Sequence, residues 1–106
     1  AEVTHLAHGA ALRCYAFEPA YQSNRRSPVA RAFNQAIRQA GARPRYKLKT
    51  GTSDMNVVGP QWNCPILAYG PGDSSLDHTP DEHIELGEYQ KAIDILGDVL
   101  ATLSRQ

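Results

Sequence analysis

The chain has 106 residues, 42% of them hydrophobic, with eleven Lys and Arg balanced by eleven Asp and Glu. That length suits one domain or part of one, and the composition supplies a core and excludes a disordered or low-complexity chain. No apolar run approaches the roughly 20 residues that cross a bilayer, and no secretory signal is present, so membrane function is not expected.

The first residues, Ala1-Glu2-Val3, carry no initiator Met, which reads as the product of cleavage or truncation rather than a natural start. His5 and His8 follow at helical spacing, with no further ligand near in sequence. A frayed end is expected there. Residues 11–18 alternate roughly and are rich in strand formers, which predicts a strand. Glu18 to Asn24 is a connection, broken by Pro19.

Ser27-Pro28 predicts a helix start, with serine as N-cap and proline at the first helical position. Val29, Ala32, Phe33, Ala36, Ile37 and Ala40 then share one face. Gly41 suits the position just past the helix end. Arg45 to Lys49 reads as a short basic strand. Ser53 or Asp54 can cap a short helix over 55–58, which Gly59-Pro60 should stop. Residues 64–69 form a continuous apolar run, as in a buried strand. Residues 83–86 look strand-like. Tyr89, Ala92, Ile93, Leu96, Val99, Leu100 and Leu103 make the apolar stripe of a long last helix. The alternation predicts an α/β layer with parallel pairing.

Charge is segregated along this plan. No acid occurs from Pro19 to Ser53, while eight of the eleven basic residues lie between positions 25 and 49. Nine of the eleven acids lie from Asp54 onward. A solvated helix face explains this blandly. A positive surface for an acidic partner explains it more sharply. Nucleic acid is the weaker candidate, because Tyr46 alone interrupts the basic strand. Cys14 and Cys64 belong to no CxxC pattern and are expected as buried free thiols in a reducing compartment.

Two loops carry the chemistry. Gly70-Pro-Gly-Asp-Ser-Ser-Leu-Asp-His78-Thr-Pro-Asp-Glu82 places one histidine between an apolar run and a long helix. A lone histidine is no metal site by itself. The second loop, Gly51-Thr52-Ser53-Asp54, offers backbone N–H groups and hydroxyls at a helix start. It could seat a carboxylate or phosphate, or simply cap the helix.

These residues resemble the C-terminal part of the M20 family of zinc amidohydrolases. The wording Thr-Ser-Asp-Met-Asn-Val-Val and Ala-Tyr-Gly-Pro-Gly-Asp-Ser-Ser-Leu-Asp-His-Thr is most similar to the lysine/ornithine hydrolase branch, which acts on an amino-group carrier protein. The resemblance implies an α/β fold: a C-terminal fragment of a Zn-peptidase-like catalytic domain, preceded by the last strand of a ferredoxin-like lid. Residues 1–22 would end the lid, which usually dimerises, and 23–106 would be the returning catalytic part. His78 matches the family's last metal ligand. Gly51, Thr52 and Ser53 match the loop at the substrate's carboxylate end, and Ser74 stands where relatives can place an asparagine near substrate.

The same resemblance implies two zinc (or cobalt) ions in the full-length parent and none held by this piece alone. The family's His-x-Asp motif, bridging Asp and Glu-Glu pair are absent from the chain. The piece is therefore expected to be inactive by itself, cytoplasmic and homo-oligomeric. Arg25, Arg26, Arg43, Arg45, Lys47 and Lys49 could steer an acidic carrier protein that bears the amino-acid substrate. The competing class is a small non-catalytic α/β module that binds an acidic partner or anion through its basic face.

Overall fold

The computed structural model describes residues 3–15 and 17–106. It opens with a hairpin. Strands β1 (Val3–His5) and β2 (Ala11–Arg13) pair antiparallel, with Thr4 opposite Leu12. The turn between them closes through Leu6 N–H to the Ala10 carbonyl at 2.7 Å. Left-handed backbone at His8 and Gly9 makes that turn possible. The strand expected over 11–18 thus stops at Arg13, and Ala16 lies outside the described residues. His5 ends a strand and does not share a helix with His8.

Helix α1 (Pro28–Gln39) forms as its residues dictate. Ser27 Oγ accepts from Ala30 N–H at 3.1 Å, and Pro28 takes the first position, where no N–H is needed. At the other end Gly41 turns left-handed, at φ +82°. Gly41 N–H reaches the Arg38 carbonyl and Ala42 N–H reaches the Ile37 carbonyl, a Schellman closure.

Helix α2 (Asp54–Trp62) passes through Gly59 and Pro60 instead of stopping before them. Proline at the seventh helical position loses one N–H bond, to Asn56, and the chain continues two residues more. Asn63, left-handed at φ +46°, ends it.

Helix α3 (Leu86–Ser104) packs on α1. Ala32, Phe33 and Ala36 of α1 meet Ile95 and Val99 of α3, with Val29, Ile37, Leu67 and Leu103 around them. The buried line on α3 is Ala92, Ile95 and Val99. Ala92, Val99 and Leu103 of the expected stripe lie on this side. Ile95 belongs to the core, whereas Tyr89, Ile93, Leu96 and Leu100 are exposed. The helix is apolar on two flanks, and among the described residues only one packs on another helix.

The predicted parallel layer is not found among the described residues. Among the described residues the only sheet is the two-stranded hairpin, and segments 45–49, 64–69 and 83–85 enter no ladder. Segment 64–69 still lies on the core through Leu67 and through Tyr69, whose ring centroid is 4.7 Å from that of Phe33. Cys14 and Cys64 are free, as expected, but exposed rather than buried. The outcome is a small α/β arrangement 17 Å thin and 60 Å long, with a radius of gyration of 18.6 Å. A compact chain of this length would have about 13 Å.

Candidate functional site

The loop from Gly70 to Glu85 is held by bonds within itself. Asp73 Oδ1 accepts from the Ser75 N–H at 2.9 Å and from the Ser75 hydroxyl at 2.7 Å. This caps the single 3-10 turn Ser74–Leu76. Thr79 then donates twice to the Leu76 carbonyl, through its N–H at 3.0 Å and its hydroxyl at 2.6 Å. His83 Nδ1 lies 2.6 Å from the Asp81 carbonyl, and its Nε2 lies 3.6 Å from a Glu85 carboxylate oxygen. The Nδ1 contact assigns the ring proton to that nitrogen.

The Ser75 hydroxyl, then the Ser75 N–H, hold the Asp73 carboxyl below the ordinary aspartate range, with smaller help from Lys47 and His83.

His78 sits between those bonds. The Thr79 bonds to Leu76 close the turn around it and leave it at φ +63°. Left-handed backbone is uncommon outside glycine, though histidine tolerates it better than most residues. The side chain is exposed, and among the described residues its imidazole has no hydrogen-bond partner. No three His, Cys, Asp or Glu side chains cluster as a metal site among the described residues. His83 is exposed and lies in an irregular segment rather than the expected strand.

The second loop is a cap, and a well-built one. Ser53 Oγ accepts from Met55 N–H at 3.3 Å, while Asn56 Oδ1 accepts from Ser53 N–H at 3.0 Å. Ser53, not Asp54, is the N-cap. Gly51 and Thr52 stand exposed just ahead of it, as does Ser74 in the other loop. Two hollows among the described residues include neither His78 nor residues 51–53. One is a shallow groove of ≈ 110 Å³ between Tyr69, Pro71 and α3, and the other is a hollow of ≈ 390 Å³ at the end of α2.

Arg25, Arg26, Arg43, Arg45, Lys47 and Lys49 are all exposed, and no ion pair with an acid engages them among the described residues. Tyr46 organises part of this surface. The Arg25 guanidinium lies 5.4 Å from its ring centroid, and Asn34 Nδ2 donates to its hydroxyl at 2.9 Å.

Residues 7–102 match the Peptidase family M20/M25/M40. The chain belongs to that family. Among its M20 relatives, a Thermococcus kodakarensis protein with the provisional name LysW-lysine/LysW-ornithine hydrolase is 60% identical over 87 residues. That match covers 82% of this chain and 25% of the relative. The LysW-lysine hydrolase of Deinococcus radiodurans is 48% identical over 95 residues, covering 90% of this chain and 26% of the relative. A Pyrococcus furiosus protein with the same provisional name as the first is 54% identical over 88 residues, covering 83% and 27%. This M20 chain thus spans about a quarter of the length of the curated relatives it matches.

One residue escaped the sequence reading. Asn56 completes the cap and also donates through Nδ2 to the Pro19 carbonyl at 2.9 Å. The Ser-x-x-Asn spacing could have signalled the cap, since a polar amide three residues after a serine can bond back. Nothing local could have signalled Pro19.

Proposed function

We propose that this chain is part of a longer metal-dependent M20 hydrolase, and that it supplies a minority of the active site. In this reading the parent cleaves an amide to release lysine or ornithine from an N-acyl or amino-group-carrier-protein adduct, as a cytoplasmic step of amino-acid biosynthesis. The observation that carries the reading is the 60% identity to the Thermococcus relative over a stretch that covers 82% of this chain. Residues 1–22 would end the lid and 23–106 would return to the catalytic domain.

Two zinc or cobalt ions, when bound, would supply a water of lowered pKa. From this chain His78 would give one neutral imidazole donor, and its exposed, unbonded ring leaves it available for that role. The remaining donors and the general base lie outside the chain. Gly51, Thr52 and Ser53 would hold the carboxylate end of the released amino acid, with Ser74 close by. The basic residues from Arg25 to Lys49 would receive the acidic carrier.

The test uses the longer polypeptide that contains this chain, with lysine amide-linked to its carrier protein as substrate. Lysine release should be abolished by chelation and restored by zinc. Replacing a supporting group of a metal site costs about 10- to 100-fold. His78→Ala, which removes a donor, should cost at least that much. Full activity in His78→Ala would refute the assignment, and metal-independent release would refute the reaction class.

A further inference from the structure

Helix α2 carries the Gly51–Ser53 turn at its start, yet among the described residues it makes no extensive packing with another helix or with the hairpin. What holds it is the connection over residues 19–23. Asn56 Nδ2 donates to the Pro19 carbonyl at 2.9 Å. Ser23 Oγ donates to the Met55 sulfur at 3.4 Å. The Tyr21 ring lies so close to Gly59 that a Cβ there would come within 2.6 Å of it. These three contacts run along one side of α2, from its first turn to its last.

Asn56 is the member that touches both parts. Its Oδ1 accepts from the Ser53 N–H, and its Nδ2 donates to Pro19, 37 residues away in sequence. The amide is planar, so fixing one end fixes the other. We infer that Asn56 is a positioning residue: it ties the 19–23 connection to the Gly51-Thr52-Ser53 turn and so sets where that turn points. The inference rests on the proposed role of the turn in holding substrate. A misplacement near 1 Å at a substrate contact can cost up to about 100-fold in rate, so a single such tie has leverage on the reaction.

Asparagine and aspartate separate this role from plain capping. At pH 8 an aspartate keeps the acceptor for Ser53 N–H, since a carboxylate serves well at the third position of a helix. It has no donor for Pro19. If Asn56 only caps the helix, Asn56→Asp should behave as the native residue and Asn56→Ala should not. If Asn56 positions the turn, Asn56→Asp should fail as Asn56→Ala does.

The experiment is done in the longer polypeptide, with carrier-linked lysine as substrate and hydrogen exchange as a second readout. Asn56→Asp is expected to raise KM on the order of tenfold with a smaller change in kcat. Amide exchange should rise together in peptides covering 17–24 and 51–56. Thr52→Ala tests the turn itself. If Thr52→Ala leaves KM unchanged, the substrate role of the turn is wrong, and the exchange data still decide the tie. If Asn56→Asp matches the native protein in both KM and exchange, the tie is wrong whatever Thr52→Ala does. Should either Asn56 variant fail to fold, Ser23→Ala loosens the same connection from the other side. It should raise exchange over 51–56, and no rise would overturn the inference.

Discussion

Asp73 shows how little of the histidine loop depends on burial. Its carboxylate is fully exposed, and two bonds from one serine depress its pKa. A group with a lowered folded value stabilises its surroundings above the unfolded value and stops doing so as pH falls through the lowered one. The Asp73 titration followed by carboxyl carbon NMR should therefore have its midpoint below that of an ordinary aspartate. The turn Ser74–Leu76 should loosen only in acid. Ser75→Ala removes the larger cause and should move the midpoint upward. Gly59 gives a second prediction. Alanine in a helix interior gains about 0.5–1 kcal/mol over glycine. Overpacking costs about 1–3 kcal/mol, and the new methyl would sit within 2.6 Å of the Tyr21 ring. The clash wins, so Gly59→Ala should lower the melting temperature of the longer polypeptide.

At the scale of elements, α1 was the most legible from sequence. Its cap, its proline and its closing glycine each act within a few residues, so local chemistry decides them. Ser27→Ala should cost about 1 kcal/mol in denaturant unfolding, because one helix N–H loses its acceptor. Val99→Ala should cost more, about 2 kcal/mol, since it leaves a void at the most buried contact between α1 and α3. The strands were less legible for a physical reason. The β-forming residues of 45–49 and 64–69 state a preference, but a strand exists only with a neighbour to bond, and none is supplied among the described residues. For the long helix, periodicity gave a single stripe that held Ala92, Val99 and Leu103 but missed Ile95 and took in the exposed Tyr89, Ile93, Leu96 and Leu100. The basic stretch is a separate case. Its segregation was visible at once, and the structure leaves those side chains exposed. Reversing Arg43 and Arg45 to glutamate should slow association with an acidic carrier about tenfold at low salt. The effect should shrink as salt rises.

The molecule as a whole is thin and elongated, with a small core. Its buried hydrophobic residues are Ala30, Ala32, Phe33, Ala36, Ala92, Ile95 and Val99. Phe17 and Leu48 are more than four-fifths exposed, and the outer flank of α3 adds Tyr89, Ile93, Leu96 and Leu100. That much uncovered apolar surface favours association. We expect the 106-residue piece, made alone, to be oligomeric in light scattering. A monodisperse monomer would contradict this. The same piece should show no zinc-dependent hydrolysis, since His78 is its one proposed donor. Of the site, the two loops were legible because glycine, proline and short polar residues mark turns. Asn56 was not, because its second bond joins residues 37 apart in sequence.

The pairing of α1 with α3 also bears on how such a chain is made. Phe33 and Val99 meet in the core, yet 66 positions separate them. A ribosome adds roughly 5–20 residues per second, so α1 emerges several seconds before its partner. Through that interval Ala32, Phe33 and Ala36 have no α3 to cover them. At 12 residues α1 is marginal as an isolated helix even with both ends capped, so its apolar face stays exposed and its shape gains support only when α3 arrives.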